Sequence, residues 1–209
     1  QLRYSADVKS LFSDLNKTFK PSELTNYILV RIGDYLRTKT SAPKQSLAYY
    51  EELIKRDNKF GEEKALLGIA DVMGSSKDPA DKRKAISTLE EVLKKVENDK
   101  ATRGEAISRL VELYSDQSDW PNTEKYARLY LAENNSKKAP EVSYFFALSF
   151  DKRNMTDDAL ANYAQVGSRY TGYLRVSAPS MKRVLEIMWK RNYPIGKTVG
   201  AGKSKITLE

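Results

Sequence analysis

The chain has 209 residues, 40% apolar and 31% charged, and 36 Lys and Arg against 28 Asp and Glu give it a formal charge of +8. That balance suits a packed domain or a short solenoid, and 10 Gly with 7 Pro exclude collagen-like or low-complexity disorder. Cys and His are both absent, which excludes disulfides, thiol nucleophiles, thiolate or imidazole metal sites and the commonest general base.

In chain order, Val8, Leu11, Phe12, Leu15 and Phe19 follow helical spacing and predict an amphipathic helix from Ser5 to Phe19 within an N-terminal segment 1–20. Pro21-Ser22 punctuates it. A small residue followed by apolar and aromatic residues at helical spacing then returns four times. The sets are Ser46, Tyr50, Leu53; Ala85, Leu89, Val92; Thr123, Ala127, Tyr130; and Ala159, Tyr163, Val166. Their small positions lie 39, 38 and 36 residues apart, a period that signals helical hairpins.

Each set reads as the second helix of a hairpin, and the residues before it supply a first helix. Those are Ile32, Gly33 and Leu36; Leu67 and Gly68; Ile107, Leu110 and Tyr114, with Trp120 at the turn; and Phe146, Ala147 and Phe150, with the turn at Asn154. Pro43, Pro79 and Pro121 fall near second-helix starts, where a missing N–H costs nothing, and Ser41, Asp78 and Asp119 are available as caps. The second hairpin carries a longer turn at Gly74-Ser75-Ser76-Lys77-Asp78-Pro79.

Beyond the fourth hairpin, Met181, Val184, Leu185 and Met188 form an apolar stripe on a helix from about Arg175 to Arg191, read as a cap on the last hairpin. Trp189, at helical spacing from Leu185, reads as core. Pro194 to Glu209, with Gly196, Gly200 and Gly202, reads as a non-helical, flexible basic tail. Residues 172–209 hold eight Lys and Arg against Glu186 and Glu209, so they carry +6 of the +8. The longest apolar runs, such as Tyr27 to Val30, fall far short of a membrane span of about 20 residues.

These residues resemble the tetratricopeptide repeat, whose pattern is a bulky residue, Leu-Gly, Tyr, a small Ala, an aromatic and a second small residue. Ile32-Gly33 and Leu67-Gly68 keep the hydrophobic-glycine pair, while Leu110-Val111 and Phe146-Ala147 replace its glycine. The resemblance covers Ser22 to Thr171 and implies an all-α, right-handed α-α superhelix. Four hairpins would span 21–171, followed by a capping helix at 172–191 and a tail at 192–209. The small residues would let paired helices cross closely, with aromatics filling the wider gap one turn on.

No set of residues reads as catalytic, metal-binding or cofactor-binding. Gly196 to Ser204 imitates a phosphate-binding loop but fails on spacing, since Lys197 stands where its first glycine is required. The pairs Glu51-Glu52, Glu62-Glu63, Glu90-Glu91 and Asp157-Asp158 point in diverging directions on helices and read as solvated faces.

The family resemblance places ligands on the concave side lined by first helices, as extended peptides or helices. Carried over by motif position, the groove candidates are Tyr27, Val30, Asp34 and Arg37; Glu62, Ala65, Ile69 and Met73; Glu105, Ser108, Glu112 and Asp116; and Glu141, Tyr144, Leu148, Asp151 and Lys152. The acidic third set argues against capture of a peptide carboxylate. A non-enzymatic scaffold for a partner peptide or helix is the leading reading, with no cofactor. The alternative is an RNA- or anion-binding protein using the basic C-terminal region. Loose, Tyr-rich repeats with long turns are similar to those of bacterial envelope assembly proteins, which implies a periplasmic or membrane-associated setting. Replacing Ala159 with Phe is expected to destabilise the fold by about 1–3 kcal/mol through overpacking; a denaturation curve identical to the parent's would refute the register.

Overall fold

A computed structural model describes residues 6–56, 61–97, 99–133, 136–193, 196–200 and 205–207, with side chains from residue 10 onward. The protein is all-α, with ten α-helices among the described residues and one short strand pair. None of those helices is long and apolar enough to cross a membrane. Two compact units, Gln1–Ala106 and Ile107–Glu209, divide the chain within one helix.

The first unit contains α1 (Ala6–Thr18), α2 (Asn26–Lys39), α3 (Leu47–Lys55), α4 (Glu62–Gly74) and α5 (Pro79–Lys95), and α6 (Lys100–Asp116) begins in it. Helices α2 to α5 pack each on the next, and α1 rests on α2. Of the apolar residues that predict α1, Phe12 is buried and packs against the Tyr35 ring at 5.4 Å, Leu15 is half-buried, and Leu11 and Phe19 are exposed. Tyr49 on α3 donates its hydroxyl to Asn16 and so ties α1 to the first hairpin.

The recurring small positions Ser46, Ala85, Thr123 and Ala159 are all fully buried. Two of them carry hydroxyls, and each hydroxyl is satisfied locally: Ser46 Oγ donates to the Pro43 carbonyl at 2.6 Å and Thr123 Oγ1 to the Asp119 carbonyl at 2.8 Å. A buried hydroxyl bonded to its own preceding turn leaves no unpaired polar atom, so Ser and Thr can stand where Ala packs. Ser46 differs from the other three in place, since it ends a 3₁₀ turn, Pro43–Ser46, ahead of α3.

Gly33 and Gly68 make room for a ring. The Tyr50 side chain of α3 lies between α2 and α4, and a Cβ at Gly33 would come within 2.6 Å of it, at Gly68 within 2.5 Å. The glycines therefore admit the aromatic, where the sequence pattern alone points to close contact between helices.

Capping follows the sequence at two of three places. Asp78 accepts the Ala80 N–H at 2.8 Å and Asp119 the Asn122 N–H at 3.2 Å. Ser41 makes no cap; Thr40 Oγ1 accepts the Ala42 N–H instead, because the chain enters α3 through the 3₁₀ turn.

The second unit contains α7 (Trp120–Ala132), α8 (Ala139–Lys152), α9 (Thr156–Arg169) and α10 (Leu174–Arg191), again packed each on the next. Ala147, Phe150, Ala159, Leu160, Ala161, Tyr163, Val184 and Ile187 form its core. The described residues of the tail, 196–200 and 205–207, contain no helix, and part of it is fixed. Strands β1 (Thr198–Val199) and β2 (Ile206–Thr207) pair antiparallel, and Val199 is buried in the core against α9. The imitation phosphate-binding loop lies partly outside the described residues.

Three left-handed residues terminate helices in this unit: Ser118 (φ 58°), Asn154 (φ 62°) and Asn192 (φ 48°). The following amide in each case reaches back five residues, Asp119 to Tyr114, Met155 to Phe150 and Tyr193 to Met188, which is the Schellman closure. Ser118 and Asn154 each precede the small position of the next helix by five residues, so two hairpins share one turn geometry.

Gly68→Ala is expected to lower stability by about 1–2 kcal/mol in urea denaturation, overpacking of the Tyr50 ring outweighing the helix-propensity gain of ~1 kcal/mol. Gly172→Ala, where a Cβ meets nothing within 4 Å, is the control and should change stability by less than about 0.5 kcal/mol.

Candidate interaction surfaces

In the first unit the Tyr50 hydroxyl emerges from between the glycines into a charged cluster. It donates to Asp34 Oδ1 at 2.8 Å and accepts from Arg37 Nε at 3.2 Å. Arg37 also reaches Asp34 at 3.2 Å and pairs with Asp71 of α4. One guanidinium thus links α2, α3 and α4. Burial pushes the Tyr50 phenol well above its ordinary value, with the Asp34 carboxylate adding to the effect and Arg37 opposing it.

Asp34 and Arg37 are therefore engaged in holding helices together. Glu62 pairs with Lys95 at 2.5 Å. Ala65, Ile69 and Met73 are buried, whereas Tyr27 and Glu105 are exposed and Val30 is half-buried.

The second unit repeats the combination with its tyrosine at the equivalent position and its charged partners at different ones. Tyr163 Oη donates to Asp151 Oδ2 at 3.5 Å, and Arg183 of α10 clamps the same carboxylate through Nε at 2.7 Å and Nη2 at 2.8 Å. Burial raises the Tyr163 phenol strongly, and the Asp151 charge adds to it. Tyr144 stands 6.0 Å from the Tyr163 ring and is half-buried, as are Leu148 and Glu141; Ser108 is buried, and Glu112, Asp116 and Lys152 are exposed. The candidates thus fall into local clusters inside each unit, several of them packed or paired. Asp71 and Arg183 complete those clusters and escape the motif, because the bonds that recruit them span 34 and 32 residues.

Helix α10 departs most from the sequence reading. Val176, Ser177, Ser180, Val184 and Ile187 face inward, and the predicted stripe splits, with Val184 and Met188 on the core side and Met181 and Leu185 outside. Trp189, expected in the core, is 89% exposed. Leu174 at 73%, Leu185 at 64% and Met181 at 44% continue the same outward line. Met181 lies over Gly167 of α9, where a Cβ would fall 2.2 Å from its sulfur. Leu185, Met188 and Trp189 border a shallow open depression with Lys190 at its edge.

The signal for this face is present in the sequence as two apolar stripes on one helix. A helix packed on one neighbour needs only one. The second exceeds the scatter of single apolar residues that ordinary surfaces show.

Two C-terminal cations are paired within the unit. Arg183 serves Asp151 and Glu186, and Lys197 lies 3.8 Å from Asp157 and 3.7 Å from the centre of the Tyr193 ring. Tyr193 in turn donates to Asp157, which fastens the end of α10 to the start of α9. No protein-family model matches this chain, and no curated protein or solved structure is significantly similar to it.

The raised phenols fix a pH dependence. Below the ordinary tyrosine value of about 10, folded and unfolded chains both keep the proton and the contribution to stability is complete. Above it the unfolded chain releases protons that the folded chain retains, so stability falls as pH rises. Absorbance titration near 295 nm should show Tyr50 and Tyr163 ionising only as the chain unfolds, and Tyr50→Phe should flatten the decline; full ionisation with the helical circular dichroism intact would contradict this.

Proposed function

We propose that the chain is a non-enzymatic protein–protein interaction scaffold of the tetratricopeptide-like kind, holding a peptide or helix of a partner protein. The exposed line Leu174, Met181, Leu185 and Trp189 on α10 carries this reading. Large apolar side chains ranked along one helix face mark surfaces that another macromolecule covers. Tyr27 on α2 supplies a second exposed aromatic, on the helices to which the family resemblance assigns ligands. Helical-repeat proteins use one architecture for many partners, so the surface, and not the fold, identifies the ligand. A bacterial envelope assembly is the setting that the repeat style suggests.

The anion-binding alternative is weakened by Arg183 and Lys197, two of its cations, whose charges are engaged within the chain. A photo-cross-linking residue at position 185, compared with one at position 27, tests the scaffold in cells of the source organism. Protein adducts at position 185 are the expected outcome. Adducts to nucleic acid, or none at either position, would overturn the proposal.

A further inference from the structure

Resting on the scaffold reading, the geometry points to a specific occupant of α10: we propose that its outer face is a vacant second-helix position, filled by an amphipathic helix with acidic flanks from another protein. Helix α8 supplies the comparison. It closes at Asn154 as α10 closes at Asn192, and that shared closure aligns the two helices 38 residues apart. In this alignment Met181, Leu185 and Trp189 correspond to Ser143, Ala147 and Asp151.

Helix α9 covers that face of α8. Ala147 is fully buried in one cluster with Tyr163, and Tyr163 donates to Asp151. On α10 the same face is open at Leu185 and Trp189, with Met181 partly covered by α9 at Gly167, because the described residues after Asn192 return to α9 through β1 and lay no helix along α10. Leu174 and Trp189 stand 15 residues apart, about 22 Å along the helix, which matches a partner of four turns. The covered α8 face has small Ala147 where α10 has Leu185, so the occupant crosses α10 at a wider spacing than α9 crosses α8.

Charge selects the partner. Arg175, Lys182 and Lys190 are exposed on α10, and its one carboxylate, Glu186, shared between Arg183 at 3.0 Å and Lys182 at 3.9 Å, offsets only part of their charge. A second copy of the chain would bring the same excess of cations to the contact. A helix with Asp or Glu beside its apolar stripe complements them.

The test uses the full chain and two designed 18-residue helical peptides with one leucine stripe, flanked by glutamates in the first and by lysines in the second. Trp189 emission and the anisotropy of labelled peptide report binding. The glutamate peptide should shift Trp189 emission to the blue and bind at least tenfold more tightly than its lysine twin. Leu185→Asp should weaken it at least tenfold with the circular dichroism unchanged, and Lys182→Glu with Lys190→Glu should reverse the preference between peptides. Equal affinities, or no binding of either peptide, would overturn the occupant. So would a dimer in sedimentation equilibrium that Leu185→Asp dissolves, or oligouridylate competing at Trp189. Protein adducts at position 185 without a preference for the glutamate peptide would remove this occupant and leave the scaffold standing, whereas absent adducts would remove both.

Discussion

The first unit depends on the insertion of one aromatic ring between two helices that have no side chain at the point of entry. Tyr50 fits only because positions 33 and 68 are both glycine. Having passed between α2 and α4, it brings a hydroxyl to the place where Asp34 and Arg37 can use it, and Arg37 extends the link to Asp71. Packing and polar pairing are joined here. The ring supplies buried area, and its hydroxyl avoids the penalty of an unsatisfied buried donor because charged partners wait at its tip.

A similar arrangement in the second unit clarifies which part of it is essential. Tyr163, Asp151 and Arg183 reproduce the tyrosine, carboxylate and guanidinium, but the arginine comes from α10, beyond the hairpin that holds the other two. The tyrosine keeps its place four residues after the small position, whereas the carboxylate and the guanidinium come from different places. Half-buried carboxylate–guanidinium pairs with two or more directed hydrogen bonds hold orientation better than they add stability, so they fix how neighbouring helices meet.

The hairpins were legible because their evidence is local and periodic. Small residues followed by apolar or aromatic residues at helical spacing survive the degeneracy of the repeats, and Ser46, Ala85, Thr123 and Ala159 are all buried as their spacing predicts. The surfaces were less legible, for two physical reasons. Polar groups such as Asp34, Arg37 and Asp151 look like ligand contacts until long-range partners are known. On α10 an apolar residue at helical spacing has the same appearance whether it faces a core or solvent, so Trp189 and Val184 could not be told apart by periodicity. Only the count of stripes separates them. The 3₁₀ entry to α3 was equally hidden, since Pro43 suits the first turn of either helix type.

The repeated Schellman closures bear on how such a chain can change length. Each is made from hydrogen bonds within five residues, so the end of α6 or α8 is set without help from the rest of its unit. Ser118 and Asn154 stand at the same phase of their hairpins, 36 residues apart. A segment excised or duplicated between them would leave each helix end and each following small position in register. The turns thus serve as equivalent joints along the sequence, where a stack of hairpins gains or loses a whole member without a new solution for its ends.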